Sequence, residues 1–333
     1  MKKLPILALI VCCFLSLLPA FRVLAADTTS ERIRIAMASI STSQVNLWVP
    51  LETGLFKKHG LDVDLVFISG APIVNAALLS GEVALAQGGP APAIQSNLRG
   101  AGTYIILGNT NRFPYQLVAA SNIKTVRDLK GKRYAIARIG AADHSATLLV
   151  LPRLGIQPER DLDLISVGAV PTRFAALATG SVAATLLIPP ETTKAKELGF
   201  RVLVNFMDLD VDFQQNAIYT TRSFINRKSD VLRRFVMAYS EGNHYIHTQP
   251  QSTKRIMRKY LQGDEKSIEE AYVEVVVKAT PKIPYPTKAG IQTLMSFMAK
   301  ASPEIANAKP DDFLDTRFIK ELEDSGFYAR LYR

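Results

Sequence analysis

The chain has 333 residues, of which 48% are hydrophobic and 21% charged, and its formal net charge is +10. This composition is that of a globular protein and excludes a wholly disordered chain, and the length suits about two lobes. The basic residues form no long block and do not alternate with aromatic residues, so we expect no nucleic-acid partner. Their densest group, Lys254–Lys259, has the pattern of a solvated helix face.

The N-terminal residues 1–26 have the pattern of a secretory signal peptide. Lys2 and Lys3 precede the apolar run Leu4–Leu18, and the small residues of Val23–Ala26 follow. A membrane anchor is the alternative, but the run is short and proline interrupts it. We therefore expect cleavage near Ala25 or Ala26 and export to the periplasm.

Both cysteines of the chain, Cys12 and Cys13, lie inside this segment. The mature protein then has no thiol, which excludes disulfides, thiol catalysis and thiolate metal sites. Lipid attachment to either cysteine is the less favoured alternative, because Val11 and Cys12 are not the small residues that usually precede a lipidated cysteine. Cleavage would also remove three basic residues and lower the net charge from +10 to +7.

Strands and helices alternate along the first part of the mature chain. The predicted strands are Ile33–Ala38, Leu61–Ile68, Val83–Ala86 and Tyr104–Leu107, and the predicted helices are Val45–His59, Pro72–Leu79 and Pro90–Arg99. This alternation predicts an α/β fold with a mainly parallel sheet flanked by helices.

The same pattern recurs 99 residues further along the chain. Ala76–Pro92 resembles Ala175–Glu191 at this offset, and the strand-like Asp62–Val66 falls on Asp161–Ile165. A constant offset over some fifty positions indicates a duplication, and two unrelated strand–helix units are the alternative. The sequence therefore predicts two α/β lobes.

From Ser229 onwards the pattern changes to longer helices. They are predicted at Ser229–His247, Gln251–Tyr260, Ser267–Ala279, Thr287–Met298 and Asp315–Ser325. We expect these helices to form a C-terminal tail.

Two such lobes leave a crevice between them, and ligands of open α/β sheets bind outside the carboxyl ends of the strands. The turns at those ends are Ser39–Gln44, Ser69–Pro72 and Gln87–Pro90 in the first copy and Arg138–His144, Gly168–Thr172 and Ile188–Glu191 in the second. Gly88 and Gly89 would let their loop approach the crevice, with backbone N–H groups near a helix start that can bind anions or polar groups.

Three stretches resemble a known family. ETGLFKKHGLDVDLV (Glu52–Val66), SGAPIVNAALLSGEVALA (Ser69–Ala86) and VRDLKGKRYAIA (Val126–Ala137) are similar to segments of the periplasmic solute-binding proteins of ABC importers. The subfamily that they resemble takes aliphatic sulfonates, taurine, nitrate or the thiamine pyrimidine. Relatives often carry an acidic residue where this chain has Arg173.

The resemblance implies a two-lobed type II periplasmic-binding-protein fold with two crossovers, placed near Arg112–Gln116 and Gln214–Thr221. Lobe 1 would be residues 33–111 plus 221–333, and lobe 2 residues 112–220. It also implies a monomer, without enzymatic activity or cofactor, that closes on one small molecule and delivers it to an ABC permease driven by an ATPase.

The candidate ligand-binding residues lie in the turns and at the crossovers. They are Ser41, Thr42, Ser43, Gln44, Gln87, Gly88, Asn111, Arg112, Arg138, Asp143, His144, Glu191, Asn216 and Tyr219.

Several of these candidates have an alternative structural role. The hydroxyls of residues 41–44 could cap the following helix, and Gln87 could belong to a simple turn. Arg138 could clamp an anion with two hydrogen bonds or pair with Asp143, whose carboxylate could instead cap the second-lobe helix. The net charge and Arg138 favour an anionic or zwitterionic ligand, whereas Asp143 and Glu191 leave a cationic one open.

Three other residues are expected outside the ligand site. His244 and His247 are three positions apart on a helix but lack a nearby acidic partner, so we expect surface histidines and no metal site. Trp48 has the helical spacing of a core residue. Two alternatives to solute capture stay open: a sensor for a membrane partner, and an enzyme similar to thiamine-pyrimidine synthases.

Overall fold

The computed structural model describes residues 30–299 and 302–333, so the predicted signal peptide lies outside the described residues. The strands of the described part are β1 Glu31–Met37, β2 Leu61–Phe67, β3 Leu85–Gly88, β4 Thr103–Thr110, β5 Gln116–Ala119, β6 Lys132–Ile136, β7 Leu162–Ser166, β8 Ala184–Leu187, β9 Arg201–Asn205 and β10 Asn216–Thr221.

Helices follow most of these strands. In the first two thirds of the chain they are α1 Val45–Glu52, α2 Leu55–Lys58, α3 Ala71–Ser80, α4 Ala91–Leu98, α5 Ala142–Val150, α6 Pro158–Asp161, α7 Val170–Ala178 and α8 Glu191–Glu197. Beyond them lie α9 Arg222–Arg227, α10 Ser229–Thr248, α11 Pro250–Tyr260, α12 Glu265–Glu270, α13 Lys288–Met298, α14 Arg317–Asp324 and α15 Phe327–Leu331, with a π-helix at Ala271–Val277. Short 3-10 turns occur at Thr42–Gln44, Val126–Leu129, Leu151–Leu154, Phe206–Asp208, Pro303–Asn307 and Pro310–Phe313.

The strands form two five-stranded sheets with matching orders. The first sheet has the order β2-β1-β3-β10-β4, and the second has the order β7-β6-β8-β5-β9. In each sheet one antiparallel strand, β10 or β5, lies between strands that are otherwise parallel. The predicted pair of α/β lobes is confirmed.

The offset found in the sequence also relates the two lobes in space. Ala36 pairs with Val66 and Ala86 in the first sheet, and 99 residues later Ala135 pairs with Ile165 and Thr185 in the second. The strands β3 and β8 also have the same bounds once 99 is added. The two lobes therefore have equivalent strand registers as well as a similar order of elements.

The chain crosses between the sheets twice. After each crossing it forms the antiparallel strand of the sheet that it enters. The first crossing lies at residues 111–115, between β4 and β5, and the second at 206–215, between β9 and β10. The second crossing ends earlier than the predicted Gln214–Thr221, because Asn216–Thr221 pairs with β3 and β4. This strand thus belongs to the first sheet, although the sequence-based boundary at residue 220 assigned it to lobe 2.

Aromatic side chains of the two crossings pack against one another. The rings of Phe113 and Phe213 stack with centroids 4.1 Å apart, and Phe206 meets Phe113 edge-on at 6.4 Å. All three are buried in an apolar cluster that also contains Ala36 of the first sheet and Leu186 of the second. This packing makes the crossings a shared, well-ordered pivot for the two lobes.

The C-terminal helices α10, α11 and α14 pack on the face of the first sheet that carries α1 and α2, whereas α13 packs against α4. α10 packs against α1 and α2, and Trp48 of α1 stacks on Tyr260 of α11 with ring centroids 4.4 Å apart. Trp48 is fully buried, which confirms the core role predicted for it. None of the helices in residues 30–299 and 302–333 combines the length and hydrophobicity that a membrane span requires.

Two predicted helices differ from those observed. The predicted helix Val45–His59 is split into α1 and α2 at Gly54, which adopts a left-handed backbone with φ of 73° that helices do not accept. The predicted helix Ser267–Ala279 covers the end of α12 and the π-helix. Over a short stretch, the spacing of apolar residues in a π-helix is hard to distinguish from that in an α-helix.

Candidate ligand-binding site

The carboxyl ends of the parallel strands in the two sheets face each other across an interlobe cleft. Arg138, which follows β6 in the second lobe, donates a hydrogen bond to the backbone carbonyl of Ser69, which follows β2 in the first. The turn after β3 approaches α5, since a Cβ atom built on Gly89 would lie 3.7 Å from that of Ala142. Turns of the two lobes thus meet across the cleft, but they are not equivalent ones, because at the offset of 99 residues Arg138 corresponds to Ser39 and Ser69 corresponds to Gly168.

A small cavity remains between the lobes. Its volume is about 20 Å³, and it is lined by first-lobe residues such as Ala71 and Gly89, second-lobe residues such as Gly140 and Ser145, and Gln215 of the second crossing. This space is comparable with one water molecule. Together with the Arg138–Ser69 contact, this small volume shows two lobes that touch, which we call the closed arrangement.

The serine-rich turn between β1 and α1 lies at the carboxyl end of the first sheet. Ser41, Thr42, Ser43 and Gln44 are all buried. The Ser41 hydroxyl lies 3.0 Å from that of Ser39 and 2.9 Å from that of Ser43, whereas the Thr42 hydroxyl has no partner. No side chain at the Ser41 cap position accepts from the following turn, so helix capping does not explain these hydroxyls.

Two buried amides hold this turn against the first sheet. Gln87 Nε2 donates to the Ser43 carbonyl at 2.7 Å, and Asn109 Nδ2 donates to the same oxygen at 2.9 Å. Both are fully buried near the carboxyl ends of β3 and β4, and the amide oxygen of each lacks a hydrogen bond. Gln87 and Gly88 belong to β3, so the turn begins two residues later than the predicted Gln87–Pro90.

Gly88 lies where the turn meets its neighbours most closely. A Cβ atom at this position would lie 2.8 Å from Ala38 Cβ and 3.4 Å from Ala71 Cβ. The glycine thus allows β3 to pass beneath the starts of α1 and α3. Its role is close packing of the cleft wall, with a negative φ that other residues also adopt.

Amide side chains line both crossings. Gln214 Nε2 donates to Asn111 Oδ1 at 2.9 Å and to the Asn216 carbonyl at 2.8 Å, so it ties the two crossings together. Gln116 and Asn216 begin the antiparallel strands β5 and β10, and their amide oxygens are buried without a partner. Asn111 and Asn216, the crossing amides that the sequence singled out, therefore both contact Gln214.

Asp143 and Arg173 form a buried ion pair beneath the second-lobe wall. Arg173 Nη1 lies 3.7 Å from Asp143 Oδ2 and also donates to the Gly168 carbonyl at 2.7 Å. Asp143 Oδ2 accepts from the Ala137 backbone at 2.6 Å. The Asp143 carboxylate therefore ties α5 to the end of β6 and pairs with Arg173. It neither caps α5, whose cap position is Ala141, nor pairs with Arg138.

Helix α8 carries the remaining second-lobe candidate, Glu191, in its first turn. Burial raises the pKa of the Glu191 carboxyl above its ordinary value, although Lys194 and Arg173 partly oppose this. The next residue, Thr192, is fully buried and its hydroxyl has no partner. Thr193 donates to Glu270 Oε2 of α12 at 2.8 Å, so α8 also bridges the lobes.

The other candidates lie away from the centre of the cleft. Arg112 is exposed on the first crossing. His144 is half-buried and accepts from the Gly140 backbone at 3.2 Å through Nδ1, and burial lowers its pKa. Tyr219 lies deeper in the first lobe, opposite Ala86, with a buried hydroxyl that lacks a partner.

The two histidines of α10 differ from the surface position expected for them. His247 is half-buried, and its Nε2 lies 3.1 Å from the Thr280 carbonyl, while the ring of His244 packs edge-on against Tyr332 at 5.1 Å. Among the described residues, no three potential metal-binding side chains gather in one place.

Sequence reasoning missed Asn109, Gln116, Arg173, Thr192 and Gln215 as cleft or supporting residues. Asn109 and Gln116 are polar residues at the ends of otherwise apolar strands, and this signal could have identified them. Arg173 was noticed only as a departure from a family pattern, and its burial depends on the folded position of α7.

The two lobes have the fold of periplasmic binding proteins. Within this fold, the chain belongs to the NMT1/THI5-like family, whose model matches residues 41–253. A curated relative from Bacillus subtilis, named "Putative binding protein YtlA", is 24% identical over 250 residues, which are 73% of this chain and 75% of that protein.

Solved structures share the same fold at low identity. The ligand-binding component of an ABC-type import system from Staphylococcus aureus, with zinc bound, has a TM-score of 0.71 and is 15% identical, with 87% of this chain and 98% of that chain covered. The periplasmic aliphatic sulphonate binding protein SsuA from Escherichia coli has a TM-score of 0.68, 19% identity and coverages of 86% and 92%. The desulfurization enzyme DSZB also has the fold, with a TM-score of 0.67, 12% identity and coverages of 89% and 99%.

Proposed function

We propose that this protein is the solute-binding component of an ABC-type import system. It captures one small polar molecule between its lobes and delivers it to a membrane permease that a separate ATPase drives. The observation that carries this proposal is the contact between strand-end turns of two lobes that two chain crossings connect.

The hinge is the physical basis of capture. A molecule that contacts both walls binds the closed arrangement better than the open one, and it therefore shifts the equilibrium toward closure. The buried polar atoms without partners on the serine-rich turn, on β3 and β4 and at the crossings are groups that such a molecule would satisfy. The small residual cavity is consistent with a cleft that must open to admit its ligand.

The remaining parts of the proposal concern location, partners and ligand charge. We propose export to the periplasm through the N-terminal segment 1–26, and action as a monomer beside the permease. Of the residues expected to bind an anion, Arg138 offers the strongest positive charge, and its guanidinium is engaged with Ser69 in the closed arrangement. The expectation of an anionic ligand therefore depends on Arg138, whose guanidinium would first have to release Ser69.

An enzyme on the same fold is the second candidate, because DSZB has this architecture and a fold does not determine function. Residues 14–333 contain no cysteine, so a thiol nucleophile is not available there. In the described part of the second lobe, Asp143 is already paired with Arg173, and Glu191 lies in the first turn of α8. Turnover of a bound solute would favour this alternative.

The test of the proposed function is binding of a small molecule without conversion. The full chain would be incubated with the fraction below 1 kDa (roughly solute-sized) of a growth-medium extract. Unfolding temperature and radius of gyration would then be measured. We expect the temperature to rise and the radius to fall, and mass spectrometry should recover the solute unchanged. An extract that alters neither quantity, or a solute recovered as a product, would contradict the proposal.

A further inference from the structure

Most of the large apolar side chains that the described residues expose to solvent lie in one region. Seven such side chains are exposed in residues 30–299 and 302–333. Five of the seven lie on the turn after β1, at the end of β2, on α3 or on the turn after β6, and they are Ile40, Phe67, Ile73, Leu79 and Ile139. We call these five side chains the apolar patch. Single exposed apolar residues are ordinary, whereas a group of them marks an interaction surface.

A backbone hydrogen bond joins two parts of the apolar patch in the first lobe. The Gly70 N–H donates to the Ala38 carbonyl at 2.9 Å, so the turn after β1 lies against the start of α3. Ile40 follows Ala38 by two residues, and Ile73 follows Gly70 by three. Both exposed isoleucines are therefore held close to the same hydrogen bond.

Helix α3 presents an apolar face to solvent. Ile73, Ala76 and Leu79 are exposed and three residues apart, so they share one side of the helix. Residues 65–81, which include α3, contain no charged side chain, and neither do residues 35–51, which include the turn after β1. The first-lobe part of the apolar patch is therefore surrounded by uncharged sequence.

The second lobe adds Ile139 through the neighbouring Arg138. Arg138 donates to the carbonyl and the hydroxyl of Ser69, two residues before α3 begins. Ile139 is 77% exposed, more than any other side chain of the apolar patch. Because the other four side chains belong to the first lobe, the apolar patch is complete only while the lobes touch. A partner that covers all of it therefore binds the closed arrangement better than an open one.

The size and charge of the apolar patch limit what can cover it. A stable dimer interface takes about 20–30 residues from each side, whereas this patch has five large side chains and suits a transient contact. Anionic lipid headgroups attract clusters of Lys and Arg, which residues 35–51 and 65–81 lack. An uncharged surface of a partner protein is the occupant that fits both properties.

From these observations we infer that the apolar patch is the surface through which the closed protein docks on the membrane permease, against an uncharged and apolar face of that permease. This inference rests on the proposed function, because the permease is the partner that must distinguish the closed arrangement from an open one. Since no ion pair takes part in the contact, docking should not weaken as the salt concentration rises.

Photocrosslinking tests the partner and the salt dependence. The full chain, with benzoylphenylalanine at Ile73, would be mixed with the growth-medium extract and with membranes from the cells that produce it, and mass spectrometry would identify the crosslinked proteins. We expect the integral membrane subunit of an ABC importer as the main product. Its yield should be the same at about 0.01 M and about 1 M salt, between which the Debye length falls from about 30 Å to about 3 Å. The same label at Gln292, exposed on α13, should not give this product.

Two substitutions compare the apolar patch with an exposed apolar residue outside it. Ile139→Asp places a charge in the apolar patch and should lower the crosslinking yield from Ile73 about tenfold. Leu198→Asp, at a 63% exposed position directly after α8, is the matched control and should leave the yield unchanged. Neither side chain lines the interlobe cavity, so both variants should keep the rise in unfolding temperature that the extract causes.

The outcomes separate docking from solute capture. A product that contains only a second copy of this chain or lipid, the absence of any product, or a yield that falls at high salt would overturn the docking inference. Equal yields from Ile139→Asp and Leu198→Asp would overturn it as well. Solute capture stands in each of these cases if the extract still raises the unfolding temperature, and it fails separately if the extract does not.

Discussion

Arg138 of the second lobe donates hydrogen bonds to the backbone carbonyl and the hydroxyl of Ser69 in the first, and this contact joins one rim of the cleft. Arg138→Ala removes it and should increase the open population of the ligand-free protein, which small-angle scattering would detect as a larger radius of gyration. The unfolding free energy should change by less than about 1 kcal/mol, because the contact is solvent-exposed. Arg112→Ala, an exposed arginine on the first crossing, is the control, and an unchanged radius in Arg138→Ala would contradict the role.

A second interlobe contact, at α8 and α12, should make closure sensitive to acid. Burial alone would raise the pKa of Glu270, but hydrogen bonds from Lys196, 2.7 Å away, and from Thr193 outweigh it and lower the pKa below 4.5. The ionised Glu270 thus stabilises the contact above about pH 4.5, and this contribution is lost as the pH falls through the lowered pKa.

Scattering between pH 7 and pH 3 would test this dependence on Glu270. The wild-type radius of gyration should increase toward the acid end, and Glu270→Gln should show a smaller increase. Asp324→Asn interrupts a surface pair with Lys320 inside the first lobe and should behave like the wild type. A Glu270→Gln profile that matches the wild type would exclude this contact as the acid-sensitive one.

The buried pair of Asp143 and Arg173 should dominate the stability of the second lobe. Arg173→Met leaves an uncompensated buried carboxylate and should lower the unfolding free energy by about 3–5 kcal/mol in urea denaturation. Adding Asp143→Asn should recover part of this loss, since no buried charge then remains. Lys320→Met, at an exposed ion pair with Asp324, should cost less than about 1 kcal/mol. Strictly additive losses in the double variant would contradict the pairing.

Glu191 should oppose folding at neutral pH. Because burial raises the pKa of its carboxyl above 4.5, the favourable state is the protonated one, and that stability is lost as the pH rises through the folded pKa. Glu191→Gln should therefore have a higher unfolding temperature than the wild type at pH 7 and an equal one near pH 4. Glu159→Gln, on exposed α6, is the control. If Glu191→Gln were less stable than the wild type at pH 7, the ionised Glu191 carboxylate would be stabilised by its surroundings, and the prediction would be wrong.

Gly88, the last residue of β3, and Gly89, which follows it, should differ in their tolerance of a methyl group. Gly88→Ala would place Cβ 2.8 Å from Ala38 Cβ and should cost about 1–3 kcal/mol, whereas the nearest atoms to a Cβ on Gly89 lie 3.7 Å away. Gly89→Ala is therefore the matched control, with little loss of stability. Thermal unfolding of the two variants would compare them, and equal losses would contradict the packing role of Gly88.

The sequence was sufficient to predict the two lobes, because apolar strands and helices recur at a constant offset. Ala36 and Ala135 could be aligned by the constant offset of 99 residues, and their strand partners prove to be equivalent. The strands at the crossings were harder to place. Asn216–Thr221 pairs with β3 and β4, which lie more than 100 residues earlier, and no local pattern indicates which sheet such a strand joins.

The site was only partly predictable for a related reason. Turns at strand ends could be located, and with them residues 41–44 and Gln87. The partners of charged residues could not, because Asp143 meets Arg173 only after α7 packs on the second sheet. The free oxygens of Gln87 and Asn109 depend on both amides reaching Ser43, which is a long-range contact.

The central claim is that the two lobes close on a small molecule, and a distance across the cleft measures this directly. Spin labels on cysteines placed at Ile73 of the first lobe and Ile139 of the second, both exposed, would report it by electron–electron resonance in a chain whose Cys12 and Cys13 are replaced by alanine. We predict a broad distance distribution without solute and a single shorter distance with the growth-medium extract. A distribution that the extract leaves unchanged would contradict the account.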